Sequence, residues 1–405
     1  MLEKIIRIFS KIYRKIFLNF EAVSRSEEIY AIAESVPQKV ALYVHVPFCR
    51  SQCQYCTFLK FRFDEATVRK YFVFLKKELE RYLALGVCFS EVYIGGGTPT
   101  IDSGELASFV KFVKDKTGVE MVSVETILSD VDEANSKMLK QAGVTRISIG
   151  LQSVHQPHRD LMRRSNLDIQ EAQDKINQAA KVFDIVSVDF IFNLPNQTKD
   201  EIKKDLDFFL ELENVDGSFY PLLSAGNEKE NAFSRVDLKK QKEYYYFIVD
   251  TLRDHGLRAL TTWSFSKSRS VSSEYIAHCE NYVGIGCGAI SKMGRVIYVN
   301  TFSLEKYFGM IEKGLAVVER KIISARDVAR YRMLMELFGM KAKSKDTTGE
   351  KLFFEIFLAK ILGIVTEKRG VIEVTKRGMY YVGFAMREFF DLVSDLRAKS
   401  VKEKL

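Results

Sequence analysis

Between Ala41 and His255 the chain alternates short apolar runs with longer helical segments six times, and this order restricts its fold more than any other feature. Strands are predicted at Ala41–Val46, Glu91–Ile94, Met121–Glu125, Arg146–Gly150, Val186–Ile191 and Ser218–Leu223. Helices are predicted at Asp64–Leu85, after Asp102, and at Val131–Ala142, Asp168–Val182, Lys199–Leu212 and Lys239–His255. Asp102 with Glu105 three residues on reads as a capping box, and Gly86, Gly143 and Gly256 are stop signals. Strands that each feed a helix must run parallel, with the helices outside. The expected fold is therefore α/β, a partial TIM-like (β/α)6 barrel whose chemistry sits at the carboxyl ends of the strands.

After about residue 320 the pattern changes. Ser324–Phe338 and Glu350–Leu362 read as helices, Ile364–Thr366 and Val371–Val374 as a hairpin, and Arg377–Arg397 as a last, aromatic-rich helix. The expected organisation is a lead-in over 1–39, a core barrel with an extension over 40–320, and a small α+β, winged-helix-like domain over 321–405. That shape often binds DNA, but nothing in this segment reads bases, and a net charge of +8 over 405 residues does not call for nucleic acid.

Half of that charge sits in residues 1–20, where Lys4, Arg7, Lys11, Arg14 and Lys15 face Glu3 alone. Leu2, Ile5, Ile6, Phe9, Ile12, Tyr13, Ile16, Phe17 and Phe20 recur at helical spacing on the other face. A basic amphipathic helix of this kind can lie in a membrane interface or dock on the protein body, and periodicity does not separate the two. No apolar run is long enough to span a bilayer, and no secretory h-region is present. The expected location is cytoplasmic, with contact at the inner face of the membrane through residues 2–20 as one reading.

Three of the six cysteines fall within eight residues, in Tyr43-Val-His-Val-Pro-Phe-Cys49-Arg-Ser-Gln-Cys53-Gln-Tyr-Cys56-Thr-Phe58. A secreted disulfide scaffold would be smaller and richer in cysteine, so the cluster reads as a metal site in a reducing compartment. The C-x3-C-x2-C spacing lets a short loop wrap one iron–sulfur cubane. Three thiolates for four irons leave one iron able to bind another ligand. A zinc knuckle is the alternative. It needs a fourth ligand, none follows within the loop, and His45 and His155 remain as candidates.

The triplet and its lead-in resemble the coproporphyrinogen dehydrogenase-like branch of the radical S-adenosylmethionine (SAM) superfamily. The resemblance runs from about residue 40 to the C-terminus and implies a [4Fe–4S] cluster on Cys49, Cys53 and Cys56, with SAM bound at the remaining iron. Gly95-Gly96-Gly97-Thr98-Pro99-Thr100 matches the segment that holds the methionine group of SAM. Glycines let a backbone approach a ligand closely, and their NH groups can hold a carboxylate. Glu125, Gln152, Arg164 and Asp189 stand where the family has SAM contacts, and Tyr43 and Phe58 complete the implied cofactor set. Tyr282-Val-Gly-Ile-Gly-Cys-Gly-Ala-Ile-Ser291 matches a further glycine loop, within which Cys287 reads as a small buried residue.

Two departures bear on the substrate. The coproporphyrinogen dehydrogenases carry a fourth cysteine where this chain has Phe58. The related haem chaperones carry His-Asn-x-x-Tyr-Trp where this chain reads His278-Cys-Glu-Asn-Tyr-Val283. The segment Gly378–Phe390 resembles the C-terminal helix of class C radical SAM methyltransferases that methylate menaquinone at ring carbon 8. That resemblance implies two SAM molecules, a lipophilic substrate and a reducing donor such as flavodoxin or ferredoxin. The alternatives are oxidative decarboxylation of coproporphyrinogen III, another porphyrin- or haem-acting reaction, and haem carriage.

Overall fold

A computed structural model of the chain describes residues 2–3, 6–7, 19–23, 39–223, 232–233, 236–267, 279–343 and 352–402, with side chains through Arg397. Six strands form the centre of the sheet: β1 (Val40–Val46), β2 (Phe89–Gly96), β3 (Val122–Ile127), β4 (Arg146–Gln152), β5 (Ile185–Phe192) and β6 (Asp216–Pro221). They lie side by side in chain order and all run parallel. The helices are α1 (Glu65–Ala84), α2 (Ser103–Thr117), α3 (Glu133–Ala142), α4 (Ile169–Val182), α5 (Lys199–Glu211) and α6 (Leu238–Asp254). The predicted α/β radical-type barrel is thus present, and each predicted unit appears within a few residues of its expected bounds.

Local chemistry explains the helix starts. Asp64, Asp102, Asp132, Asp168 and Asp237 each accept a first-turn amide of the helix they precede. A cap of this kind contributes about 1 kcal/mol. At Asp102 the side chain accepts from the Glu105 amide at 3.0 Å. The reciprocal capping box is formed instead at Thr198 and Glu201, ahead of α5. Gly143 ends α3 at φ 104°, a conformation that favours glycine. The central strands are apolar on both faces because helices cover one side and the barrel lining the other; β4 is buried along its whole length.

The sheet extends further than six strands, to thirteen. Beyond β6 lies an antiparallel strand, β7 (Ser264–Ser266). On the other side β8 (Tyr282–Ile285) joins β1 in parallel, pairing Tyr282 with Ala41. Then β9 (Ile290–Met293), β10 (Val296–Asn300) and β11 (Val317–Ile322) follow as an antiparallel meander, with α7 (Leu304–Lys313) between the last two. The glycine-rich segment after β8 packs closely on α1. The Gly286 amide donates to Glu78 at 2.8 Å, and Tyr307 donates to the same carboxylate at 2.7 Å. Cys287 is buried, its amide bonded to the Tyr71 hydroxyl at 2.8 Å, and burial pushes its thiol well above the ordinary range.

The C-terminal part comprises α8 (Ala325–Phe338), β12 (Lys341–Lys343), α9 (Phe353–Ile361), β13 (Val365–Lys368), β14 (Val371–Val374) and α10 (Lys376–Lys402). Its three strands form a separate sheet in the order β12, β14, β13, so the expected hairpin gains a third strand. The helix α10 returns to the barrel. Arg387 donates to Gln241 of α6 at 3.1 Å, and the Trp263 ring meets Phe338 and Phe390.

Most of the basic N-terminal segment lies outside the described residues. Those that are described sit on the body. Leu2 and Ile6 pack against the core, and Glu3 pairs with Lys242 at 3.0 Å. Phe20 is buried with Ile297, Val299, Phe302, Ile323 and Leu396. No helix among the described residues is long and apolar enough to cross a membrane.

Just past β4, the Val154 amide and the Ser153 hydroxyl donate to Asp205 of α5, the amide at 2.7 Å. Burial raises the Asp205 carboxyl from 3.8 to about 7, against these hydrogen bonds, which lower it. A folded-state pKa above the unfolded one gives stability that is full below pH 4 and fades as pH rises through 7. Relative to Asp205→Asn, which does not titrate, the wild type should lose at most about 1.4 kcal/mol per pH unit across that interval. Thermal midpoints of both proteins from pH 4 to 8 check this; a constant difference contradicts it.

Candidate active site

The cysteine loop leaves the end of β1 and is closed by a short parallel pairing of Phe48–Cys49 with Phe61–Arg62. The Phe63 amide reaches the Cys49 carbonyl at 3.1 Å, and Lys60 Nζ caps the carbonyls of Cys53 and Cys56 at 2.8 and 3.1 Å. With the loop's carbonyls so occupied, the thiols are left to the interior. All three are free, partly buried and line one cavity of about 1050 Å³. Burial raises the Cys49 thiol, and the Thr98 hydroxyl, 3.6 Å from its sulfur, acts in the opposite direction.

The glycine segment at the end of β2 docks onto this loop. The Gly97 amide donates to Val46 O and the Thr98 amide to Phe48 O, both at 2.8 Å. A Cβ on Gly97 would stand 2.6 Å from the Phe48 oxygen, so glycine is required for the approach. Gly96, at φ 114°, lies against the His45 ring. Its amide donates to Glu125 at 3.1 Å, and Tyr93 donates to the same carboxylate at 2.8 Å. Burial raises Glu125 above the usual carboxylate range in spite of these bonds.

The remaining expected residues converge on the same space. Tyr43, Phe58, Gly96, Gly97, Thr98, Glu125, Gln152, Arg164 and Asp189 all line the cavity with the three cysteines. Gln152 ends β4 at φ 77°, a left-handed conformation that is uncommon for glutamine. Asp189 accepts the Ser148 hydroxyl at 3.0 and 2.9 Å. Arg164 donates to Gly150 O at 2.7 Å and to the Tyr55 hydroxyl at 2.8 Å. Tyr55 lies inside the cysteine loop, so Arg164 ties that loop to β4. Burial alone would lower the Arg164 guanidinium, but Tyr55 and Cys53 outweigh it and hold it cationic.

Sequence reasoning missed several lining residues. Tyr55 and Ser148 carry no motif of their own. Trp263, Tyr331, Phe338, Phe389 and Phe390 make an aromatic wall from three separate segments. Arg397 enters from α10. Only the aromatic richness of α10 was a usable signal.

The donor set fits an iron–sulfur cluster. Among the described residues no three thiol, imidazole or carboxylate groups converge tightly enough for a single metal ion. A cubane spreads its three thiolates wider, one to each iron. The zinc candidates, His45 and His155, are not among the residues that line the cavity with the three thiols. His45 Nδ1 is bonded to the Tyr43 hydroxyl at 2.8 Å, and burial lowers the ring's pKa to about 3. His155 Nε2 meets the Glu201 carbonyl at 3.0 Å.

Comparison with known proteins agrees with this geometry. The family model described as the radical SAM superfamily matches residues 43–209. The haem chaperone HemW of Bacillus subtilis is 26% identical over 329 residues, covering 76% of this chain and 86% of that one. The oxygen-independent coproporphyrinogen III oxidase of Pseudomonas aeruginosa is 23% identical over 354 residues, covering 78% and 76%. The solved coproporphyrinogen III oxidase HemN of Escherichia coli superposes with a TM-score of 0.76 at 19% identity, covering 92% of this chain and 95% of that one. Over residues 43–209 the chain matches the radical SAM superfamily, whose members use a [4Fe–4S] cluster and SAM. Within it, the chain is similar to coproporphyrinogen oxidases and HemW proteins, and it shares the fold of HemN. The finer resemblance to menaquinone methyltransferases has no counterpart among these relatives.

Two outcomes test the site. Replacing Cys49, Cys53 or Cys56 with Ala should abolish SAM cleavage, read as 5′-deoxyadenosine formed under dithionite; retained product would contradict the assignment. Gly97→Ala should lower iron and sulfide bound per chain on reconstitution. Gly104→Ala, whose Cβ would meet nothing nearer than Asp102 at 3.5 Å, should match the wild type.

Proposed function

We propose that this protein is a radical SAM enzyme acting on a carboxylate-bearing tetrapyrrole, of which coproporphyrinogen III is the first candidate. The observation that carries the reading is the large cavity that the three cysteines line. Ligand pockets commonly span about 300–1000 Å³. At about 1050 Å³ this one has room for a substrate beside SAM. Its far wall is a set of flat rings, Trp263, Tyr331, Phe338, Phe389 and Phe390, suited to a planar macrocycle. Nine arginines and lysines line it against six acids, an excess that favours an anionic ligand. The names of the relatives point the same way.

In this reading Cys49, Cys53 and Cys56 hold the cluster, and the Gly95–Thr98 segment and Glu125 form the surface that receives the methionine and ribose groups of SAM. When bound, the cluster and SAM supply reductive sulfonium cleavage and a 5′-deoxyadenosyl radical. Gln152 and Asp189 orient the cofactor from the strand ends. Arg164 fixes the cysteine loop through Tyr55 and adds positive charge to the site. The aromatic wall and α10 exclude water, which protects a reactive carbon centre from side reactions.

A second reading keeps methyl transfer to a quinone ring, with a second SAM as methyl source. It is favoured by the apolar far wall and by Phe58 in place of a fourth cysteine. Products separate the two. Anaerobic protein with SAM, dithionite and coproporphyrinogen III should yield 5′-deoxyadenosine and carbon dioxide together. With menaquinone in place of coproporphyrinogen III, formation of S-adenosylhomocysteine and a methylated quinone would overturn the tetrapyrrole reading in favour of methyl transfer. A haem Soret band without turnover would overturn it in favour of carriage.

A further inference from the structure

Half of the large apolar side chains that the described residues leave exposed sit on one short helix, α9. Phe353, Phe354 and Ile361 are 70%, 68% and 66% exposed, and Phe357 and Leu358 stand beside them. Their spacing puts all five on one face, where the rings of Phe353 and Phe357 stack. The two charged residues of the helix are engaged elsewhere. Glu355 accepts from Arg326 and Arg330 at 2.9 and 3.1 Å, and Lys360 pairs with Glu367 of β13. Leu352, just ahead of the helix, and Ile356 are buried. The remaining exposed large apolar residues, such as Val73 and Ile169, are scattered singly, which is ordinary for a surface. A contiguous apolar face is not, and it marks a contact.

Size and charge choose the partner. Three half-exposed or better phenylalanines with a leucine and an isoleucine offer roughly 500 Å². A stable interface between two protein copies covers about 800 Å² on each. A lipid surface sets no such minimum, and it receives a short helix by its apolar face. The hairpin packed against α9 presents Lys368 and Arg369 at its turn. Both are exposed, and neither pairs with an acid among the described residues. Cations at the edge of an apolar face suit anionic headgroups. We propose that α9 docks the protein on an anionic phospholipid surface. Phe353, Phe354, Phe357, Leu358 and Ile361 enter the acyl boundary, and Lys368 and Arg369 meet the headgroups. Glu355, on the inner side of the same helix, lines the cavity, so one helix thickness of about 10–12 Å separates the site from the docked surface. The proposal does not depend on which substrate the cavity takes.

Flotation of the full-length protein with vesicles tests it, using pure phosphatidylcholine and a mixture with phosphatidylglycerol. The wild type should float with the mixed vesicles. Combining Phe353→Ser, Phe354→Ser and Phe357→Ser should weaken that binding about tenfold or more. Lys368→Glu with Arg369→Glu should remove the preference for the anionic vesicles, and Val73→Ser should match the wild type. In Phe354→Trp, indole emission should move to shorter wavelength when mixed vesicles are added; the native Trp263 is buried. Thermal midpoints of the serine variant at or above the wild-type value separate lost docking from lost folding. A wild type that does not float, a serine variant that floats equally well, or an unmoved Trp emission would overturn the proposal. A dimer in sedimentation that the serine variant loses, without flotation, would overturn it in favour of a second copy of the chain.

Discussion

The rest of the site depends on how the backbone of the cysteine loop is satisfied. A loop that turns three thiols inward must place its own amides and carbonyls elsewhere, because unpaired buried polar groups cost free energy. Here the loop borrows partners from its surroundings. Val46 and Phe48 accept from the glycine segment of β2, Lys60 covers the carbonyls of Cys53 and Cys56, and Phe61 and Phe63 close the base. The same glycine segment gives an amide to Glu125. One short stretch of backbone therefore positions both the cysteine loop and a carboxylate of the same cavity.

Around this centre the molecule repeats one device, a buried polar side chain that holds a segment after a strand. Asp205 holds Ser153 and Val154 after Gln152, and Glu78 holds Gly286 after β8. Arg159 donates to the carbonyls of Leu151 and Ser153 at 3.0 and 3.2 Å. A fully bonded buried network favours one geometry over its neighbours. Positions such as Gln152, in a left-handed conformation, need that support to persist.

Much of the fold was legible because its signals are local. The apolar runs and the 3.6 periodicities of β1 to α6 lie within single segments, and aspartates mark most of the helix starts. The flanking meander was not legible, since strands of four to six residues carry little periodicity and β8 pairs with β1 from a segment distant in the chain. The three cysteines that share the cavity were legible as spacing, and the glycine segment as composition in a fixed order. Tyr55 and Arg164, which meet across 109 residues, and Arg397 over Phe58 were not, because only packing brings them together. Phe58 was read as a missing cysteine; the structure gives it a positive occupation as the support of an arginine.

The central claim is that Cys49, Cys53 and Cys56 hold a four-iron cluster with one iron left for SAM, facing the cavity. Electron paramagnetic resonance of the anaerobically reconstituted, dithionite-reduced protein tests it directly. The account predicts the signal of a reduced [4Fe–4S] cluster whose g values move when SAM is added. A signal that SAM leaves unchanged, or a protein that takes up zinc and shows no cluster signal, would contradict it.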